Sequence, residues 1–237
     1  MKSSFAPTAL LLGNFVIGTS IMGPSGMLGE LSSDLGVSIR DAGLLITFGA
    51  AVLFICSPLS AWLTGRFDRR KFLSGLIVLL ALCNVASAFA PDYATLMAIR
   101  LMMMAVAAPF TPQAAGTVSL IVPVEKRGST IAYIFLGWSL AAAAGLPMVT
   151  IIASHAGWRT AYLCIAALSC ISFLLLIWRL PPRVSGVAVE LKTWVSLGRN
   201  PLVVLLLLIT VLQMSGQFII FTFMAPLLTH LAQATPG

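Results

Sequence analysis

One arginine stands alone in an apolar run. Arg100 follows Leu96-Met97-Ala98-Ile99 and precedes Leu101-Met102-Met103-Met104, and no other charge falls between residues 94 and 121. A guanidinium in such surroundings is costly unless carbonyls, water or an anion satisfy it. It does not give up its proton, so it can hold an acceptor but cannot relay a proton. Two roles stay open: a cation lining an internal cavity, or a side chain reaching back to a polar edge. Four uncharged polar residues share its setting: Asn14, Gln113, Gln213 and Gln217. Gln213 and Gln217 are four apart and share one helix face. Such groups either bind the polar atoms of a solute or bond between helices, and the spacing favours neither. Together with Arg100 they are the candidate lining of a substrate pathway.

Catalytic and metal chemistry has no comparable candidates. His155 and His230 each stand alone, and Cys56, Cys83, Cys164 and Cys170 fall in apolar stretches without a CxxC pair. The cysteines read as small buried hydrophobes. No cofactor, metal or enzymatic activity is implied.

The elements that must position these residues are membrane helices. Hydrophobic residues make up 59% of the 237-residue chain and charged residues 9%; a soluble domain carries about a quarter charged residues. An apolar helix needs about 20 residues to cross the hydrocarbon core. Seven stretches qualify, near 5–28, 42–64, 72–90, 94–121, 129–154, 160–178 and 201–229. The first is too long for the core of a signal peptide and is read as a span.

The loops orient the spans. The densest charge in the chain is Gly65-Arg66-Phe67-Asp68-Arg69-Arg70-Lys71, between the second and third stretches. With the N-terminus inside, the inner segments hold Lys2, Arg66, Arg69, Arg70, Lys71, Lys126, Arg127, Arg179, Arg183, Lys192 and Arg199. The outer segments hold only two basic residues, Arg40 and Arg159, against Glu30, Asp34, Asp41 and Asp92. Basic residues stay cytoplasmic, so this distribution predicts an inside N-terminus and, after seven spans, an outside end of this chain. The same scatter explains the net charge of +7 without a nucleic-acid partner; the lipid bilayer is the partner it implies. Residues 180–200, opening on Pro181-Pro182, place Leu191, Trp194 and Val195 at helical spacing beside Lys192 and Arg199, which predicts an amphipathic helix on the inner surface. Ser38 and Asp41 have the spacing of a capping box opening the second span.

Two spans are interrupted in corresponding places. The first contains Gly23-Pro24-Ser25-Gly26 and the fourth Pro109-Phe110-Thr111-Pro112-Gln113. Proline removes a backbone donor and frees a carbonyl. If spans 1–3 and 4–6 are inverted repeats, these breaks are equivalent, and paired breaks point to a transport pathway. Gly137, Gly145 and Pro147 give the fifth span a small-residue, kinked surface that serves packing or a hinge.

These residues resemble the major facilitator superfamily. Residues 61–70, Ala61-Trp62-Leu63-Thr64-Gly65-Arg66-Phe67-Asp68-Arg69-Arg70, look like its motif A, G-x-L-A-D-R-x-G-R-R. Leu63, Arg66, Arg69 and Arg70 match; Ala61, Gly65 and Asp68 depart. Arg100 falls where the family's motif B arginine lies. Gly145-Leu146-Pro147 resembles a shortened motif C of exporters. Pro123-Val124-Glu125-Lys126-Arg127-Gly128 and Gly157-Trp158-Arg159 look like loops of the arabinose-efflux-permease-like branch of drug/proton antiporters.

The resemblance implies an all-α integral membrane fold: a six-helix bundle of 3+3 inverted repeats over 1–179, an inter-half linker over 180–200, and a seventh helix starting a second half over 201–237. It implies a secondary active exporter of small solutes, sugar or drug-like, in the inner membrane, working by alternating access with a proton as coupling ion. A twelve-helix pattern makes this chain the N-terminal half plus one helix, as a natural truncation or a fragment; a non-transporting fragment is the alternative. A seven-helix receptor fits poorly, because the seventh span lacks a lysine and the termini face the wrong way. Gly18-Thr19-Ser20 is followed by Ile21 where related exporters often carry glutamate. A proton carrier on this chain would therefore be Glu30, Asp34 or Asp41 at the outer edge. Gly65 stands where motif A has its aspartate, and Asp68 is the expected substitute.

Overall fold

A computed structural model describes residues 5–65, 67–186, 196 and 198–231, with the side chains of residues 61, 62 and 217–231 outside the description. The chain forms two compact units, Met1–Ala188 and Val189–Gly237.

Six helices of the first unit are long and apolar enough to cross a membrane: Ala6–Gly26, Ile39–Ser60, Arg69–Ala88, Tyr93–Ile121, Val124–Ala156 and Trp158–Arg179. Helices are the expected solution, since each pairs its own backbone groups where no water is available. Span 1 comprises α1 (Ala6–Met22) and a 3-10 turn over Gly23–Gly26. A short helix, α2 (Leu28–Leu35), follows it. Span 2 is α3 (Ile39–Leu63) and span 3 is α4 (Arg69–Ala88). Span 4 divides into α5 (Tyr93–Ala107) and α6 (Phe110–Ile121). Span 5 comprises α7 (Val124–Leu140), a π turn over Ala141–Gly145, and α8 (Leu146–Ala156). Span 6 is α9 (Trp158–Arg179).

Capping sets several boundaries that apolar length misplaces. Ser38 Oγ accepts from the Asp41 amide at 3.0 Å and so starts α3 before residue 42. Asp68 Oδ1 accepts from the Lys71 amide at 2.9 Å, which draws Arg69, Arg70 and Lys71 into the first turn of α4. Asp92 caps α5 through the Thr95 amide at 2.8 Å. These short polar side chains satisfy amides that a helix start leaves unpaired. The first stretch, expected to run to 28, instead breaks at Gly23 because Pro24 cannot continue the ladder.

The packing has a two-fold pattern. Span 1 packs on spans 5 and 6, span 4 packs on spans 2 and 3, and the most extensive contact joins spans 3 and 6. Exchanging 1 with 4, 2 with 5 and 3 with 6 maps this set onto itself. Because spans three apart cross in opposite directions, the repeat is inverted. The interruptions obey the same exchange: α1 runs 17 residues before its break and α5 runs 15. The core is built from spans 1, 3, 4 and 6, with Leu10, Ile17, Leu73, Ile77, Leu80, Met103 and Ile165 fully buried. Spans 2 and 5 lie at its margin: 17% of the second span is buried against 61% of the first. The four cysteines are free. Only Cys83 is buried, and Cys170 is exposed. Burial in this bundle therefore corrects the expectation for Cys170, which an apolar stretch places on the outer face of a helix.

In the second unit, α10 (Pro201–Leu231) is one uninterrupted apolar helix of 31 residues, covering the expected seventh span. The amphipathic helix expected within 180–200 centres on residues 187–195, which lie outside the described residues.

Candidate functional site

Arg100 is fully enclosed, 1% exposed. One terminal nitrogen, Nη1, donates to the Ser20 carbonyl at 2.7 Å, the other, Nη2, donates to the Ile21 carbonyl at 2.6 Å, and Nε donates to the Leu45 carbonyl at 3.4 Å. Ser20 is four residues before Pro24, so its carbonyl is the one that Pro24 deprives of an amide partner. Arg100 supplies the missing donor from span 4. It also places a positive charge at the C-terminal end of α1, where the helix dipole favours one. Burial and carbonyl partners leave no role for an arginine reaching out to the membrane surface.

Asn14 is buried at the contact of spans 1, 4 and 5. Its Nδ2 donates to the Ile134 carbonyl at 2.9 Å, and its Oδ1 accepts from Thr111 Oγ1 at 2.9 Å. Thr111 Oγ1 in turn accepts from Trp138 Nε1 at 3.2 Å. Thr111 and Trp138 face a cavity of about 450 Å³ together with Ile21, Ala50, Phe54 and Ala107. This apolar wall, contributed by spans 1, 2, 4 and 5, has its polar support behind it: Arg100 holds the carbonyl of Ile21, and Asn14 orients Thr111.

The close approach of spans 1 and 5 depends on glycine. A Cβ on Gly137 would collide with the Leu11 carbonyl and lie 2.8 Å from Asn14 Cβ, and one on Gly145 would collide with Thr19 Oγ1. Gly137, Ala141 and Gly145 are spaced by four, and in a regular α-helix such a row drifts around the axis. The π turn over Ala141–Gly145 widens one turn and keeps the row on α1. Pro147, two residues beyond, lacks the amide that would restore the α pattern there.

Gln113 belongs to a different cluster. Its Oε1 accepts from the Arg69 guanidinium, and its Nε2 donates to Thr64 Oγ1 at 2.9 Å. Arg69 is 5% exposed and also donates to the Gly65 carbonyl at 3.2 Å. The 64–70 loop is thus tied to α6 by a side chain that sequence reasoning placed with Arg100 and Asn14. Asp68 acts as a helix cap here, Arg70 is partly exposed, and Arg66 lies outside the described residues. Gln213 is exposed on α10, and the Gln217 side chain is outside the description.

At the opposite end, Asp34 on α2 accepts from Arg159 and from Trp158 Nε1 at 2.9 Å, both at the start of α9. The Arg159 guanidinium also lies over the Trp158 ring, 4.2 Å from its centre. The Arg159 bond, then the Trp158 bond, hold the Asp34 carboxyl below its ordinary value. The Thr95 amide lowers Asp92 in the same direction. Asp41 is engaged by its own cap, with Ser38 Oγ donating to its carboxylate at 2.6 Å.

Residues 10–235 match the model of the Major Facilitator Superfamily. The chain belongs to the Major Facilitator Superfamily. The inner membrane transport protein YdhP of Escherichia coli (strain K12) is 34% identical over 236 residues, covering 100% of this chain and 61% of YdhP. A probable sugar efflux transporter of Mannheimia succiniciproducens is 27% identical, covering 98% of this chain and 58% of its own length. A chloramphenicol resistance protein of Streptomyces lividans is 28% identical, covering 91% and 56%. This superfamily member therefore spans about 60% of the length of these curated relatives. Among solved structures, the peptide transporter POT in complex with alafosfalin superposes with a TM-score of 0.69 at 13% identity, over 88% of this chain and 46% of the transporter. The proton:xylose symporter XylE bound to 6-bromo-6-deoxy-D-glucose gives 0.63 at 16% identity, over 77% and 46%. At these identities the likeness is one of fold. The family and these relatives are transporters, not enzymes, and the chain is that of a multi-pass membrane protein.

Two partners of the site were not found from sequence. Thr111 lies within the 109–113 break but was not singled out from it, and Trp138 looks like an ordinary span residue that no spacing marks. The Ser20 acceptor was legible in principle, because it lies four residues before Pro24.

Proposed function

We propose that the protein carrying this chain is a secondary active transporter that exports small solutes across the inner membrane by alternating access. The observation that carries this reading is the 450 Å³ recess on spans 1, 2, 4 and 5, on the least buried side of the bundle. A recess of mainly apolar side chains, whose Trp138 Nε1 and Thr111 Oγ1 are already bonded to each other and, through Thr111, to Asn14, suits a solute with a large apolar face. The relatives' names, sugar efflux and chloramphenicol resistance, support a sugar or drug-like cargo. The charge of the loops supports a cytoplasmic N-terminus, with residue 237 on the outer side. Residues 1–179 act as the N-terminal bundle, 180–200 as the linker, and 201–237 as the opening of a second half.

Arg100 and Asn14 support the pathway wall, and Gly137, Gly145 and Pro147 form the hinge surface; Gln213 and Gln217, on α10, are further candidates for contact with the solute. Gly65, Arg66, Asp68, Arg69 and Arg70, joined by Gln113, form the inner gate. Coupling to protons assigns the carrier to Glu30, Asp34 or Asp41, or to a second half. Everted vesicles containing the protein as encoded by its gene test both transport and coupling, with labelled chloramphenicol and a neutral monosaccharide as probes. Movement of either probe that requires an imposed pH gradient supports the proposal. Movement indifferent to the gradient removes proton coupling, and no movement of either probe contradicts export of these classes.

The chain's share of its relatives' length favours a second reading, a fragment that inserts but does not transport alone. Transport by a reconstituted 237-residue product would contradict it.

A further inference from the structure

We propose that residues 184–186 form a strap through which the connection after span 6 clamps the inner end of span 4, acting on Gln113 through Arg69. The inference rests on the alternating-access reading above and adds to it a positioning device in the connection itself. Four observations converge on it. The Arg69 amide donates to the Val184 carbonyl at 2.8 Å. Asp68 and Ser185 form an antiparallel β-bridge, the isolated bridge among the described residues. Gly186 lies so close that a Cβ there would collide with the Arg69 guanidinium and sit 3.0 Å from the Gly65 carbonyl. Arg183 has φ of 60°, a conformation uncommon for a residue with a side chain and maintained only where the surroundings enforce it.

The mechanical consequence follows from the bonds. The strap lies against the Arg69 guanidinium, and Arg69 as a residue is 5% exposed. Shielded from water, Arg69 holds Gln113 and the Gly65 carbonyl. Gln113 in turn fixes Thr64, at the end of span 2, and belongs to the same helix as Thr111 and Pro112 of the recess. Displacing the strap exposes the guanidinium to water, which then competes for these bonds. The connection therefore senses or sets closure at the inner end with no need for a carboxylate at Gly65.

The test uses the protein as encoded by its gene, with its native cysteines replaced, Cys56, Cys83, Cys164 and Cys170 of this chain among them, and one cysteine placed at Thr117. Thr117 is fully buried one turn beyond Gln113 on α6. Labelling by a membrane-impermeant maleimide from the inner side is measured without added solute. Gly186→Val should raise the labelling rate about fivefold, the lower end of typical coupling between sites. Gly198→Val is the control, since a Cβ at Gly198 in the same connection meets nothing within 4 Å, and its rate should equal the parent's. Arg69→Ala should raise labelling by itself, and adding Gly186→Val to it should add nothing. Parental labelling in Gly186→Val overturns the strap, as does a rise that persists in the Arg69→Ala background. If the valine variant does not reach the membrane, Gly186→Ala poses the same question with the smallest side chain. Absent efflux in the parent would overturn the transport reading and leave the labelling result standing.

Discussion

At the scale of the residue, Arg100 is a donor that repairs a helix end. Removing it leaves the buried Ser20 carbonyl unpaired, at a cost of about 1–3 kcal/mol, and takes a donor from the part-buried Ile21 carbonyl at the edge of the recess. Arg100→Ala should insert normally, melt at lower temperature in detergent and lose transport. A melting temperature and transport rate equal to the parent's would reduce Arg100 to a bystander. Asn14→Ala should show a smaller stability loss, about 1–2 kcal/mol, since three spans lose one shared side chain; urea or thermal unfolding in micelles measures it. Arg100 stood out in the sequence because a lone charge in an apolar run must be accounted for. Of its acceptors only the Ser20 carbonyl had a signal, its place four residues before Pro24; the pairing itself joins backbone groups of a distant helix to the guanidinium. Gln113 was grouped by chemical type with Asn14, whereas its partners are set by where α4 begins, and that depends on the Asp68 cap.

At the scale of the element, the spans were legible in the sequence because apolar length and loop charge are strong, local signals. Their ends were not, because Ser38, Asp68 and Asp92 move them by single-residue caps that a hydropathy window averages away. The α1–span 5 contact gives a direct prediction. Gly137→Val must push apart the Leu11 carbonyl and Asn14, at a cost of about 1–3 kcal/mol from overpacking. Gly128→Ala, on the same helix with nothing within 4 Å, should be neutral or slightly stabilising. Equal melting temperatures for the two variants would remove the close-packed seam from the account. The α2–α9 clip has a pH signature. The Asp34 carboxyl titrates below its ordinary value because Arg159 and Trp158 hold it. Its stabilisation is therefore complete above the ordinary carboxylate value and is lost as pH falls through the lowered one. Asp34→Asn should flatten the acid limb of a melting-temperature profile and leave neutral pH little changed, as an exposed pair contributes modestly. An unchanged acid limb would show that the clip carries no such linkage.

At the scale of the whole molecule, the bundle is an inverted repeat whose breaks fall in equivalent spans, and its polar residues stand behind the wall of the recess. That arrangement explains how a chain with so few charges can still shape a recess: Pro24 opens a carbonyl, Arg100 secures it, and Ile21 is fixed at the cavity edge. The repeat was foreshadowed by the paired prolines, whereas the strap at 184–186 was not, since it follows from backbone proximity across the bundle. The central claim is that the recess of Ile21, Ala50, Phe54, Thr111 and Trp138 is a hydrated pathway and not a lipid-facing surface. A single cysteine at Phe54, compared with one at Leu174 on span 6, tests it directly in membranes with an impermeant maleimide. Both side chains are exposed in the bundle, at 82% and 50%. The account predicts that the cysteine at 54 is labelled and the one at 174 is not; equal resistance of both would contradict it.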